Sequence, residues 1–166
     1  GANEMVAEKV AVVIEGWNSP VTLAMQPVLA RGNILDITAV SKADPILAGQ
    51  ANPYAVRINS SNGQDGKVIA DILLNKLNAK RIGFLTQNDA YGNGAQAVIE
   101  AEMTKLGKPW EKVVTEQFPF KQTDFRVSLA NVKQAKPDAV VAINAAESSG
   151  MPALIQQYRQ AGIEGT

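Results

Sequence analysis

Polar groups able to grip a small molecule recur in this chain directly behind short apolar runs. Asn18 and Ser19 follow KVAVVIE (residues 9–15), and Thr38, Ala39, Val40 and Ser41 close NILDIT (residues 33–38). Tyr91 follows RIGFLT, and Asn144 and Glu147 follow DAVVAI (residues 138–143). Ser19 reads first as the N-cap of a helix with Pro20 at the first helical position, where a missing N–H does no harm. With the Asn18 amide and the free N–H groups of that helix start, its hydroxyl favours a carboxylate. Loops at the carboxyl ends of parallel strands are where open α/β sheets bind their ligands.

Composition removes most competing chemistry. Histidine is absent, so there is no imidazole base, no Ser-His pair and no ordinary zinc site. Cysteine is absent too, which excludes disulfides, thiolate metal sites and a cysteine nucleophile. Lysine plus arginine equal aspartate plus glutamate at 16 each, a balance that argues against nucleic acid and anionic membrane surfaces. No run of about 20 apolar residues spans a bilayer. No catalytic residue, metal site or cofactor is expected.

Two enzymatic readings are weaker than their plain alternatives. Gly92-Asn93-Gly94-Ala95-Gln96-Ala97 fits G-x-G-x-x-A, with Glu116 where a ribose-binding acid would stand. That fingerprint needs its first glycine at the turn directly after the strand, and Gln87 to Tyr91 intervene. The glycines read instead as a turn and helix start lying close to neighbours. Lys42 beside Ser41 suggests a Ser-Lys pair, but adjacent residues on an extended loop point apart and nothing completes an oxyanion site. Asp124 reads as a helix-start residue, and Asp138 as a loop carboxylate at strand entry.

Strand and helix patterns alternate to position these loops. Strands are expected over residues 9–15, 33–38, 54–58, 82–85, 112–117 and 138–143. Helices are expected over residues 20–31, with Pro27 bending it, 62–78, 95–106, 124–135 and from Met151 to Tyr158. Repeated βα units predict an α/β fold, a parallel sheet with helices on both faces. The polar run Asn59-Ser60-Ser61-Asn62-Gly63 reads as a crossing between two lobes, residues 1–58 and 59–166. Both ends read as cut. The chain opens inside a helix tail (residues 3–8), Gly1-Ala2 resembles an expression scar, and Gly162 to Thr166 form a helix stop with no following strand.

In order and spacing these residues resemble the solute-binding proteins of branched-chain amino acid ABC transporters, which have the type I periplasmic fold. The pieces are VAVVIEG with Asn18-Ser19 and Ala24, then GNILDIT, Asp44-Pro45-Ile46-Leu47, Asn52-Pro53-Tyr54 with Arg57, and Asp65-Gly66. Asp89-Ala90-Tyr91-Gly92-Asn93-Gly94, Thr123-Asp124-Phe125, Lys136-Pro137-Asp138 and QQYRQAG (residues 156–162) complete them. The resemblance implies two lobes closing on a ligand held by Asn18, Ser19, Ala39, Val40 and Ser41 from one lobe and Tyr91 from the other. Asn144 and Glu147 stand where the family often has an aromatic, Trp17 is unusual, and the acid that neutralises a ligand ammonium would lie beyond Thr166. The ligand expected is an amino acid or another small carboxylate, aromatic and aliphatic acids included.

The resemblance further implies a periplasmic protein, with a signal sequence upstream, that delivers its ligand to ABC permease subunits in the membrane. A ligand-sensing domain of a receptor or regulator with the same fold is the alternative. Taken alone, the chain is expected to self-associate through strand faces carrying Val10, Val12, Val13 and Ile14.

Overall fold

The computed structural model describes residues 1–49 and 51–163, so Glu164, Gly165 and Thr166 of the expected helix stop lie outside the described residues. The chain divides into two compact units, Gly1–Gln64 and Asp65–Thr166. The first holds α1 (Ala2–Ala7), β1 (Val12–Glu15), α2 (Ser19–Arg31), β2 (Leu35–Thr38), α3 (Pro45–Ala48) and β3 (Ala55–Arg57). Helix α4 (Asn62–Asp71) runs across the division and ends in a π turn, Ile72–Lys76. Then follow β4 (Arg81–Gln87), α5 (Ala90–Lys105), β5 (Glu111–Phe118), α6 (Arg126–Ala135), β6 (Ala139–Ile143) and α7 (Gly150–Ala161). The fold is α/β with two parallel three-stranded sheets, ordered β1-β2-β3 and β5-β4-β6, each accompanied by helices.

Side chains on a strand alternate between faces, and the first sheet separates them cleanly. Val13 of β1 joins Leu29 and Ile34 in a core, with Met5 and Val6 of α1 and Met25 of α2 packed on it. The opposite face carries Val12 (45% exposed), Ile14 (73%) and Val56 (45%), with Ile37 in register between Ile14 and Val56. One face of this sheet is therefore covered and the other is bare. Of the valines and isoleucine in the expected apolar strand, Val13 is buried while Val12 and Ile14 are open.

The second sheet is covered on both faces. Ile82 and Phe84 of the central strand β4 meet Ala70 of α4, Leu73 and Leu74 of the π turn, and Ile99 and Met103 of α5. Leu85, pointing the other way, meets Phe118, Phe125, Leu129 and Val132 beside β5 and α6, and Leu154 of α7. Phe118 and Phe125 cross edge to face at 5.0 Å, a favoured aromatic geometry. All residues of β4 after Arg81 are buried, as its continuous apolar run requires.

Several boundaries differ from the pattern of the sequence. β1 begins at Val12 rather than Lys9, because Lys9 takes φ +56 and the Val10 N–H returns to the Met5 carbonyl, closing α1. The helix expected over residues 62–78 yields to the π turn before Asn78 (φ +51), a left-handed exit that asparagine tolerates. Residues 59–63 are bonded into the first unit: Asn59 Nδ2 donates to the Val40 carbonyl, the Asn62 N–H to the Lys42 carbonyl, and the Gly63 N–H to Asp44 Oδ1. Helix α7 ends at Gly162, whose φ of +59 suits a left-handed cap.

Candidate functional site

In the first unit, Ser19 is not the N-cap. Asn18 holds that position without a side-chain cap, and Ser19 is the first helical residue. The buried Ser19 Oγ is drawn sideways instead, accepting the Lys42 and Ala43 N–H groups at 3.2 Å each. Fewer helix donors are free than the sequence suggests. Pro20 has none, and the Val21 and Thr22 N–H groups both bind the Asn18 carbonyl at 3.0 Å. In this turn the Ser19 N–H alone lacks a partner among the described residues.

The loop of Ala39, Val40 and Ser41 is fastened to the end of β1. The Ala39 N–H donates to the Glu15 carbonyl (2.7 Å), and the Val40 and Ser41 N–H groups donate to the Gly16 carbonyl (3.0 and 2.5 Å). Gly16 has φ +102, and a Cβ there would stand 1.9 Å from Thr38 Oγ1, so only glycine fits this junction. Ser41 Oγ is buried 2.8 Å from Thr22 Oγ1, and Thr22 Oγ1 in turn donates to Glu15 Oε2 at 3.0 Å. Structure thus brings Ser19, Ala39, Val40 and Ser41 together around α2, with Asn18 half-buried and Trp17 57% exposed at its rim.

Behind this loop lies a group that sequence reasoning missed. Glu15 and Asp36 stand on neighbouring strands with their side chains on the α2 face, bounded by Thr22, Gln26 and Thr38. Burial pushes both carboxyls up, Glu15 to about 7, and the nearby Asp36 charge raises Glu15 further against the opposing Thr22 bond. A signal was present: each acid interrupts an apolar strand run, VVIE and LDIT, where a solvated carboxylate has no reason to be.

In the second unit, Tyr91 lies on the first turn of α5 rather than in the loop before it, because the helix begins at Ala90 under the Asp89 cap. Asp89 Oδ1 accepts the Tyr91 and Gly92 N–H groups at 2.9 Å each. Tyr91 is half-buried and packs on the core formed with α5. Gly92 sits against β4, where a Cβ would come within 2.0 Å of the Gln87 carbonyl oxygen. That close approach, not a phosphate cradle, accounts for the glycine.

Asn144 is buried at the end of β6, its Oδ1 accepting the Ala146 N–H at 2.8 Å while its Nδ2 has no partner among the described residues. Glu147 is exposed in the following turn. Gln87, which the sequence did not single out, ties the loops together: its Oε1 accepts the Ala145 N–H at 3.0 Å and its Nε2 donates to Asp89. Asp138 accepts the Lys80 and Arg81 N–H groups at the opposite end of the sheet, the structural role expected of a carboxylate at strand entry. Asp124 precedes α6 and accepts the Arg126 N–H, and paired with the Arg126 side chain its carboxyl lies at about 2. Among the described residues no cluster of three metal-ligating acids, histidines or cysteines exists, and no helix is long and apolar enough to cross a membrane.

Polar loops gathered at the carboxyl ends of two parallel sheets are the arrangement of ligand-binding α/β units. The family model described as "Periplasmic binding protein" matches residues 1–166. The chain belongs to that family. Its members are non-catalytic solute-binding transport proteins, typically periplasmic. It is 24% identical over 163 residues to an "Amino acid binding protein" of Pseudomonas aeruginosa, covering 98% of this chain and 42% of that protein. It matches "Leu/Ile/Val-binding protein homolog 1" of Brucella abortus at 24% identity, over 98% of this chain and 43% of that one. The chain thus spans less than half the length of these relatives.

Among solved structures, a solute-binding protein of an ABC transporter from R. palustris in complex with benzoate superposes with a TM-score of 0.85 at 27% identity. That match covers 98% of this chain and 45% of that one. The LivJ substrate-binding protein of Streptococcus pneumoniae in complex with isoleucine gives 0.79 at 25%, over 99% and 44%. Each unit is consistent with the type I periplasmic binding architecture.

Proposed function

We propose that the intact protein captures a small organic carboxylate, an amino acid or an aromatic acid, between two lobes and delivers it to the permease of an ABC importer. The residues proposed to contact it are Asn18, Ser19, Ala39, Val40 and Ser41 of the first unit and Tyr91, Asn144 and Glu147 of the second. Residues 1–58 belong to one lobe and most of residues 59–166 to the second, with residues 59–63 the crossing between them. The observation that carries this reading is the family match over residues 1–166, together with polar loops at the carboxyl ends of both sheets. Benzoate and isoleucine occupy similar proteins at 27% and 25% identity, and both are small molecules bearing a carboxylate, which supports this ligand class. Trp17, 57% exposed beside Asn18, offers a flat apolar surface suited to an aromatic acid.

The test is calorimetric titration of the intact protein with leucine, isoleucine, benzoate and 4-hydroxybenzoate. Binding of at least one, weakened by Ser19→Ala, is expected; binding of none of the four removes the proposed ligand class. Taken alone, the chain associates with a second copy through the bare stripe of Ile14, Ile37 and Val56, an apolar surface with no charge in it. A concentration-independent monomer in light scattering would contradict that contact.

A further inference from the structure

The buried acids of the first unit have no role in the fold as described. Asp36 is fully buried, and both its oxygens, together with Glu15 Oε1, lack a hydrogen-bond donor among the described residues. Two ionised carboxylates are acceptors only, so neither can satisfy the other. A single proton held between them removes that conflict, as in other paired carboxylates.

The surroundings supply no other remedy. From α2, Thr22 donates to Glu15, and the Gln26 amide lies beside Asp36 without either of its atoms completing a hydrogen bond. From β2 comes Thr38, a neutral hydroxyl. From β3, Arg57 stands level with Thr38 but donates to the Ala43 carbonyl. α1, packed on α2, brings Glu4, which is exposed. Among the described residues no cation neutralises the pair.

What makes this pair consequential is its attachment to the loop of Ala39, Val40 and Ser41. The Glu15 carbonyl holds the Ala39 N–H, and the Glu15 carboxylate is linked through Thr22 to Ser41. While Glu15 is anionic, Thr22 must spend its one proton on Glu15, so Thr22 Oγ1 accepts from Ser41 and the Ser41 proton points inward. A proton on the pair relaxes that demand and removes a negative charge two hydrogen bonds behind the loop.

We propose that Glu15 and Asp36 form a one-proton pair that positions the Ser41 loop through Thr22, and thereby makes capture of a carboxylate by that loop weaken as pH rises. The last clause rests on the function proposed above; the linkage between pair and loop does not. Burial as the leading cause of the raised Glu15 carboxyl places the transition in the near-neutral range.

The experiment is a pH titration of the full-length protein by NMR, following the Glu15 side-chain carboxyl carbon and the Ser41 amide in wild type and in Glu15→Gln. Glutamine keeps an acceptor for Thr22 but cannot titrate. Expected is a Glu15 midpoint well above that of a solvated glutamate, with the Ser41 amide following the same midpoint in wild type and flat in the variant. A Ser41 amide that ignores the Glu15 transition, or a Glu15 that titrates as a solvated acid, overturns the proposal. Titration with benzoate and isoleucine at about pH 5.5 and about pH 8 should then show affinity falling by about fivefold at the higher pH in wild type and unchanged in Glu15→Gln. Should neither these probes nor leucine and 4-hydroxybenzoate bind while Ser41 still follows Glu15, the functional reading fails and the pair-loop linkage stands; should a probe bind with the same affinity at both pH values, the coupling to capture is refuted.

Discussion

Both sheets of this protein are parallel and three-stranded, yet their interiors differ. The second sheet is sandwiched: Phe84 and Ile82 on one side of β4, and Leu85 on the other, are all inaccessible to solvent. The first leaves Ile14 and Val56 in the open and sets two carboxyls and Thr38 against Thr22 and Gln26 of α2. Apolar burial contributes roughly 25 cal/mol per Å², and an unpaired buried polar group costs free energy. The second unit is therefore expected to be the more stable, and the first to carry the cost of its buried polar groups.

The largest effect that could break this comparison is in the second core. Phe84→Ala should destabilise the Asp65–Thr166 unit by about 3–5 kcal/mol, read as a lowered midpoint in denaturant unfolding. Gly92→Ala comes next. Its methyl would meet backbone rather than a yielding side chain, and overpacking of that kind typically costs about 1–3 kcal/mol. Ser19→Ala should cost the first unit about 1–3 kcal/mol, because it strands the Lys42 and Ala43 N–H groups; a loss confined to a few tenths would mean that those donors find water.

The acids distinguish the units by pH. A carboxyl raised by folding contributes stability that is fully present below its unfolded value, 4.5 for Glu15, and is lost as pH rises through its folded value of about 7. The first unit should therefore weaken between those limits while the second does not. Unit-resolved hydrogen exchange across that window checks this, and Glu15→Gln should flatten the slope. Least of all, Ile14→Ala on the bare stripe should change stability by no more than about 0.5 kcal/mol, while reducing any concentration dependence in light scattering.

Alternation and helical spacing made the strand-helix order legible, because burial on one or two faces writes itself into every second or every third and fourth residue. Positions of the loops followed from that order. What escaped were contacts decided across the chain: Ser19 turning to Lys42 and Ala43 over more than 20 residues, Gln87 reaching Ala145 over 58, and Glu15 meeting Asp36 on the next strand. The bare stripe was legible in part. Val12 and Ile14 alternate with buried Val13 in sequence, but only the register with Ile37 and Val56 shows one continuous surface. Tyr91 was misplaced into a loop because a glycine three residues into α5 looks like a breaker, whereas Gly92 is there so that the helix can rest on the Gln87 carbonyl.

Strand order also bears on how the polypeptide is assembled as it leaves the ribosome. In the first sheet each new strand pairs with the one made just before it, so β1, β2 and β3 can zip in the order of synthesis. In the second, β4 sits in the middle and waits for neighbours on both sides, the later of them 58 residues downstream where Asp138 clasps the Lys80 and Arg81 amides. Non-local closures of this kind slow folding. The better-packed half of the chain is thus the half that must stay unfinished longest, with the apolar run of β4 in need of shelter until β6 arrives.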